Sequence, residues 1–198
     1  MKLIAHRGFS SKAPENTIAS FELAINSGFN FIEFDVQLSR DQKPIIFHDE
    51  KLERTTNGKG LLKNKCLDEI KRLDCGRWFG SEFKNIKIPT LEEILQKFKN
   101  IAHFQIELKD NNNLLPEIVL DSLQKNDWYK SNFKDPYQVP GFSITSFHIK
   151  QILRTKKIDN KVIVGWLLEV NKKINKELFE YCKTEDINMI IPQVNSIS

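Results

Sequence analysis

Short apolar runs alternate with segments whose apolar residues recur every three or four positions, and this rhythm holds over most of the chain. A run at residues 2 to 6 precedes a helical stretch from Asn16 to Asn26, in which Ile18, Phe21 and Ile25 share a face and Gly28 is the stop. Phe31 to Leu38 alternates strictly. Ile32, Phe34, Val36 and Leu38 face one way, and Phe31, Glu33, Asp35 and Gln37 the other. Arg40 to Lys43 reads as a turn and Pro44 to Phe47 as a second strand. From Leu52 to Ile88 the rhythm breaks, with Asn57-Gly58-Lys59-Gly60, a short helix around Leu67, Ile70 and Leu73, and the pair Trp78-Phe79. It resumes at Pro89-Thr90-Leu91-Glu92-Glu93, where Thr90 caps a helix and Glu93 reaches back to it; Ile94, Leu95 and Phe98 are that helix's buried face. Strands over 102–108, 142–146, 162–168 and 187–191 then alternate with helices over 115–124, 148–156 and 174–183. Strands separated by helices pair in parallel, so the chain reads as an α/β fold.

A length of 198 residues with 40% hydrophobic content suits one domain, 1–198, carrying residues 52–88 as an insertion. Three cysteines, Cys66, Cys75 and Cys182, lack CxxC spacing, which argues against a disulfide framework or a cysteine zinc site and for reduced thiols in a cytoplasmic protein. The few apolar residues before His6 are too short for a signal-peptide core or a membrane span. The formal charge of +4 comes from lysines scattered among acidic residues, without the clustered basic face of a nucleic-acid binder.

What packing does not explain is the polar residues that end the apolar runs: His6-Arg7-Gly8 after Leu3-Ile4-Ala5, and His48-Asp49 after Ile45-Ile46-Phe47. In parallel α/β folds the carboxyl ends of strands are where ligands bind. Glu33 and Asp35 point to one side, roughly 7 Å apart, where they repel unless they face solvent or share a cation. Both faces of a parallel strand are usually covered, which favours a hard divalent cation, Mg²⁺ or Ca²⁺. Glu107, on a strand where Gln105, Glu107 and Lys109 share a face, is the third carboxylate, and Lys109 offers a charge to phosphate. Folding the hairpin about Asp41-Gln42 brings His48 opposite Asp35, and His6 is its partner in an acid/base pair. His103 and His148 are read as structural, Trp166 as core, and Leu61-Leu62 and Trp78-Phe79 as the packed interior of the insertion.

Seven segments between residues 4 and 147 occur in the order seen in one family: His6-Arg7-Gly8, Pro14-Glu15-Asn16-Thr17, Glu33-Phe34-Asp35, His48-Asp49, Pro89 to Glu93, Glu107-Leu108-Lys109 and Ser146-Phe147. In them the chain resembles the glycerophosphodiester phosphodiesterases. The resemblance implies a TIM (β/α)8 barrel with an insertion after the second strand, and hydrolysis of small glycerophosphodiesters to glycerol 3-phosphate and an alcohol. It implies His6 and His48 as acid and base, Glu33, Asp35 and Glu107 as ligands of Mg²⁺ or Ca²⁺, and Arg7 and Lys109 as phosphate contacts. The nucleophile is either water or the neighbouring glycerol hydroxyl, which gives a cyclic phosphate. Six barrel strands can be counted, at residues 2, 31, 102, 142, 162 and 187, so the expected barrel is incomplete, its last two strands absent.

Two other readings compete. One is a truncated, non-catalytic remnant that binds phosphate and metal. The other is a lysophospholipase D-like or sphingomyelinase D-like activity, which calls for an apolar rim or interfacial helix; the sequence shows no basic amphipathic segment of that kind and no stable membrane insertion.

Overall fold

The computed structural model describes residues 2–130, 137–170, 172 and 174–193. Six parallel strands run β1 (Ala5–His6), β2 (Phe31–Leu38), β4 (His103–Leu108), β5 (Gly141–Ser146), β6 (Val164–Leu167) and β7 (Met189–Ile191), adjacent in that order. A short strand β3 (Pro44–Ile46) pairs antiparallel with β2 and lies off this path. Helices α1 (Ile18–Asn26), α3 (Leu91–Lys97), α4 (Leu115–Lys125), α5 (Ile149–Ile158) and α6 (Lys176–Thr184) connect successive parallel strands, and α2 (Leu67–Arg72) lies in the segment between β3 and α3. Among the described residues β1 and β7 are the outer strands of the path. No described helix is long and apolar enough to cross a membrane.

The alternation of β2 is realised in full. Ile32, Phe34 and Val36 are wholly buried against the helices, where the Phe34 ring packs on Phe21 of α1 at 5.6 Å and on Phe104 of β4 at 5.1 Å. Phe104 stacks in turn on Trp128 at 4.8 Å. The other face is polar and also buried: Glu33, Asp35, Gln37, Glu107, Ser143 and Thr145 are each at most 7% exposed. Asp35 stands beside Glu107 in the β2–β4 register, and Glu107 beside Thr145 of β5. The solvated-face explanation for Glu33 and Asp35 is thereby overturned.

Local chemistry sets the element ends. Thr17, in extended conformation, accepts from the Ser20 N–H and starts α1. Asn16, expected inside that helix, instead takes φ +56° just before the cap, a conformation asparagine tolerates. Gly8, at φ +80°, lies where an added Cβ would meet Ser20 Oγ at 2.4 Å, so the turn after β1 needs both its dihedral freedom and its bare Cα. The Thr90–Glu93 capping box is formed at α3. The strand expected over 2–6 shrinks to two residues, because Leu3 and Ile4 lie exposed ahead of it.

The hairpin register differs from expectation. Its loop has three residues, Arg40, Asp41 and Gln42: the Ser39 N–H donates to Lys43 O at 3.0 Å and Gln42 adopts φ +59°. Val36 therefore pairs with Ile46, and the Phe47 N–H donates to Asp35 O, which puts Phe47 rather than His48 across from Asp35. Residues 52–88 build a second apolar cluster, in which Leu52, Leu62, Ile70, Cys75 and Ile88 pack with Ile45 and Phe47. Leu62 is inside it as expected, but Trp78 is 42% exposed, edge-on to Phe79 with its Nε1–H donating to Cys75 O. Phe34→Ala is expected to cost about 3–5 kcal/mol in urea unfolding, and Trp78→Ala no more than about 1 kcal/mol.

Candidate active site

The polar face of β2 and β4 leads to a cavity of about 460 Å³ at the carboxyl ends of the strands, lined by His6, Arg7, Glu33, His48, Glu107 and Lys109 among others. Each arrives by a different route. His6 is the last residue of β1 and pairs in register with Glu33. Arg7 follows at φ +55°, a backbone state costing a non-glycine residue roughly 1–2 kcal/mol. Its strained turn is held by three contacts: the Arg7 N–H donates to Glu33 Oε2 at 3.0 Å, and Arg7 O accepts from Asn16 N–H and Ser20 Oγ, both at 3.1 Å. His48 enters from the loop after β3, while Glu107 lies near the end of β4 and Lys109 just beyond it.

Glu33, Asp35 and Glu107 each offer an oxygen within 4.8 Å of the others. Glu33 Oε1 and Asp35 Oδ1 are buried and accept no hydrogen bond, although buried carboxylate oxygens are ordinarily saturated with donors. Burial, then the charges of Asp35 and Glu107, push the Glu33 carboxyl well above its ordinary range. Burial and Asp35 also raise Glu107, against the pull of Lys109. An oxygen-ligating cation fits this set, since it supplies positive charge where three carboxylates converge and two of them keep an unsatisfied oxygen.

Cations of the protein surround the cluster without saturating it. Lys109 Nζ lies 2.8 Å from Glu107 Oε1 and 3.5 Å from Asp35 Oδ1. Arg7 Nη1 donates to Glu15 Oε1 at 2.9 Å, whereas its buried Nε lies 3.3 Å from Asp35 Oδ2 without hydrogen-bond geometry. His6 Nε2 is 3.8 Å from Glu33 Oε2, with its side chain 66% exposed at the cavity mouth. His48 Nδ1 sits 2.5 Å from Asp49 Oδ1. Burial alone would raise the Asp49 carboxyl, but hydrogen bonds from Arg54 and His48 hold it at about 2. Asp49 is therefore an ionised acceptor, which places a proton on His48 Nδ1 and leaves Nε2 for other partners.

The structure thus brings together all seven residues singled out in the sequence: His6, Arg7, Glu33, Asp35, His48, Glu107 and Lys109. It adds supports to which the sequence assigned no role. Asn16 Nδ2 donates to Asp35 Oδ2 at 2.7 Å, and its Oδ1 accepts from the Asp35 N–H at 3.3 Å. Gln37 Nε2 lies 2.9 Å from each of the carbonyl oxygens of Phe47, His48 and Asp49. Glu15 and Asn16 stood in a recognisable tetrapeptide, and Gln37 on the inward face of β2, so the signal was position rather than chemistry. His148, read as structural, precedes α5 and lines a neighbouring groove of about 690 Å³ with His48, Asp49 and Asp110. His103 is buried at the opposite end of β4, its Nδ1 2.7 Å from Gln138 O.

The model of the glycerophosphoryl diester phosphodiesterase family matches residues 6–197. The chain belongs to this family. The glycerophosphodiester phosphodiesterase of Bacillus subtilis is 37% identical over 179 residues, covering 85% of this chain and 60% of that protein. The glycerophosphodiester phosphodiesterase of Caldanaerobacter subterraneus subsp. tengcongensis is 45% identical over 168 residues, 84% of this chain and 66% of that protein. A phosphodiesterase of Oleispira antarctica, solved in complex with the product sn-glycerol-3-phosphate, superposes with a TM-score of 0.84 at 30% identity, over 97% of this chain and 74% of that chain. The chain spans 45% to 66% of the length of the first curated relatives it matches. Its fold is accordingly the TIM-like α/β fold of the family, in which the cavity occupies the carboxyl-end face.

Two outcomes test the electrostatics. Asn16→Ala removes the amide donor of a buried carboxylate and is expected to cost about 1–3 kcal/mol in urea unfolding. Because the Glu33 pKa is raised on folding, the stability tied to its neutral form is full below 4.5 and is lost as pH rises through the folded value. In chelator at pH 7, Glu33→Gln should therefore melt above the unsubstituted protein, with the difference vanishing below pH 4.5.

Proposed function

We propose that this chain is a metal-dependent glycerophosphodiester phosphodiesterase, hydrolysing small glycerophosphodiesters to glycerol 3-phosphate and an alcohol, with residues 1–198 acting as one barrel-type domain and 52–88 as an insertion in it. The observation that carries the reading is the convergence of Glu33, Asp35 and Glu107, the first two with an unsatisfied oxygen each, beside two histidines and two cations in one cavity. The family membership and the Oleispira phosphodiesterase bound to sn-glycerol-3-phosphate support it.

In this reading Glu33, Asp35 and Glu107 hold a divalent cation, Mg²⁺ or Ca²⁺, which when bound neutralises charge on the phosphoryl oxygens. Arg7 and Lys109 orient the phosphate. The buried Arg7 Nε, lacking an acceptor, has a donor to offer, and Lys109 sits at the inner wall beside Glu107. His48, with Nδ1–H committed to Asp49, exchanges protons through Nε2, and His6 serves the opposite side of the phosphorus. One imidazole takes the proton of the nucleophile, water or the neighbouring glycerol hydroxyl, and the other gives one to the departing alkoxide; a cyclic phosphate formed by the second route is then opened by water with the two roles exchanged. Lys109 and Arg7 also counter the negative charge that grows in the transition state.

The test is release of glycerol 3-phosphate from glycerophosphocholine, with Mg²⁺ or Ca²⁺ and with chelator. Expected are turnover abolished by chelator, kcat lowered by roughly 10² or more in His6→Ala and His48→Ala, and loss of the cation requirement's effect along with activity in Glu33→Ala. Turnover indifferent to chelator, or unchanged by both histidine substitutions, overturns the assignment.

A further inference from the structure

The proposed chemistry leaves one contact set unused: Arg54, in the 52–88 segment, touches two carboxylates that each support a different site residue. Its Nη1 donates to Glu15 Oε2 at 2.8 Å and its Nη2 to Glu15 Oε1 at 2.7 Å. On the other side Nη2 donates to Asp49 Oδ1 at 2.9 Å and Nε to Asp49 Oδ2 at 2.5 Å. Two of those oxygens are shared. Glu15 Oε1 also accepts from Arg7 Nη1 at 2.9 Å, and Asp49 Oδ1 is the atom 2.5 Å from His48 Nδ1.

An exposed ion pair that satisfies only itself contributes about 0–1 kcal/mol and fixes nothing else. Arg54 differs in geometry rather than in strength. One planar fork engages both carboxylates in a bidentate fashion, a match that the three divergent donors of lysine do not reproduce. The turn that carries it is anchored as well: the N–H of buried Leu52 donates to Gly60 O, and Thr56 Oγ1 donates to Leu52 O at 2.6 Å. Burial pushes the Glu15 carboxyl up, but Arg54 and Arg7 outweigh it and hold it below its ordinary range. Both bridging groups are thus anions at neutral pH.

We propose that Arg54 is a positioning residue that locks Asp49 and Glu15 into one frame and so fixes the His48 imidazole relative to the Arg7 guanidinium across the cavity. This rests on the roles given above to His48 and Arg7. It also gives the 52–88 segment a function: it delivers the tie between the β1–α1 turn and the loop after β3.

The test compares Arg54→Ala, Arg54→Lys, Asp49→Asn and the Arg54→Ala/Asp49→Asn double variant on glycerophosphocholine with Mg²⁺. Arg54→Ala should lower kcat by about 10-fold to 100-fold and raise KM, millimolar guanidinium should restore part of kcat, and Arg54→Lys should recover only a fraction. Both single changes cut the same link to His48, so the double variant should lose no more kcat than the worse single one. Unchanged kcat and KM in Arg54→Ala, or losses that multiply in the double variant, overturn the proposal. A second readout needs no turnover: ¹⁵N spectra of the His48 ring in the metal-free protein should show the Nδ1–H tautomer, and a mixture in Arg54→Lys. If no variant and no unsubstituted protein releases glycerol 3-phosphate, the functional reading fails by itself. The spectra then decide the positioning role, and identical tautomers in the two proteins would sink it.

Discussion

Three carboxylates are held on adjoining positions of β2 and β4, out of water, and the surrounding structure is arranged around that load. Unit charges about 5 Å apart repel by roughly 3 kcal/mol even at an effective dielectric of ~20, and burial adds to it. The response is visible in every neighbour. The Arg7 backbone N–H turns onto Glu33, Asn16 brackets Asp35 from side chain and backbone, and Lys109 leans on Glu107 and Asp35. Two left-handed residues, Arg7 and Asn16, are what aim those donors, so backbone strain and site electrostatics have one origin. The compensation stops short of saturation: Glu33 and Asp35 each keep one buried oxygen without a hydrogen bond, in a cluster whose ligand oxygens lie within 4.8 Å of one another.

The legible part of this arrangement was what depends on period. Strict alternation along Phe31–Leu38 fixed which residues lie inward, and the same argument carried Glu107 and Lys109, because parallel neighbours in register keep a face in common. Helix starts were readable where capping chemistry is local, as at Thr90 and Glu93. The hairpin register was not, because Arg40-Asp41-Gln42 has no glycine to mark the left-handed end of a three-residue loop, a position Gln42 takes at φ +59°. Trp78 escaped for a related reason: composition marks it as core material, but the short segment around it has a small interior already filled by Leu52, Leu62 and Ile70.

Long-range side-chain ties were the other illegible layer. Nothing in Glu53-Arg54-Thr55 announces that the arginine meets Glu15, 39 positions away, and Asp49 at once. Such contacts follow from where the 52–88 segment settles, which is set by its own apolar cluster against Ile45 and Phe47 rather than by any motif. The candidate site residues were therefore readable well before the residues that orient them, since strand ends are marked by sequence and the frame around them is made by tertiary packing.

Phe34 sits between Glu33 and Asp35 in sequence and points the opposite way, into the ring cluster of Phe21, Phe104 and Trp128. The peptide groups that carry the acidic pair are the ones clamped by that cluster. Drift in the aromatic interior is consequently felt at carboxylates one residue away along the backbone, and the two faces of β2 are mechanically tied. Any repacking of the core that shifts Phe34 also shifts the spacing of Glu33 and Asp35, which ties the greasiest part of this protein to its most polar part.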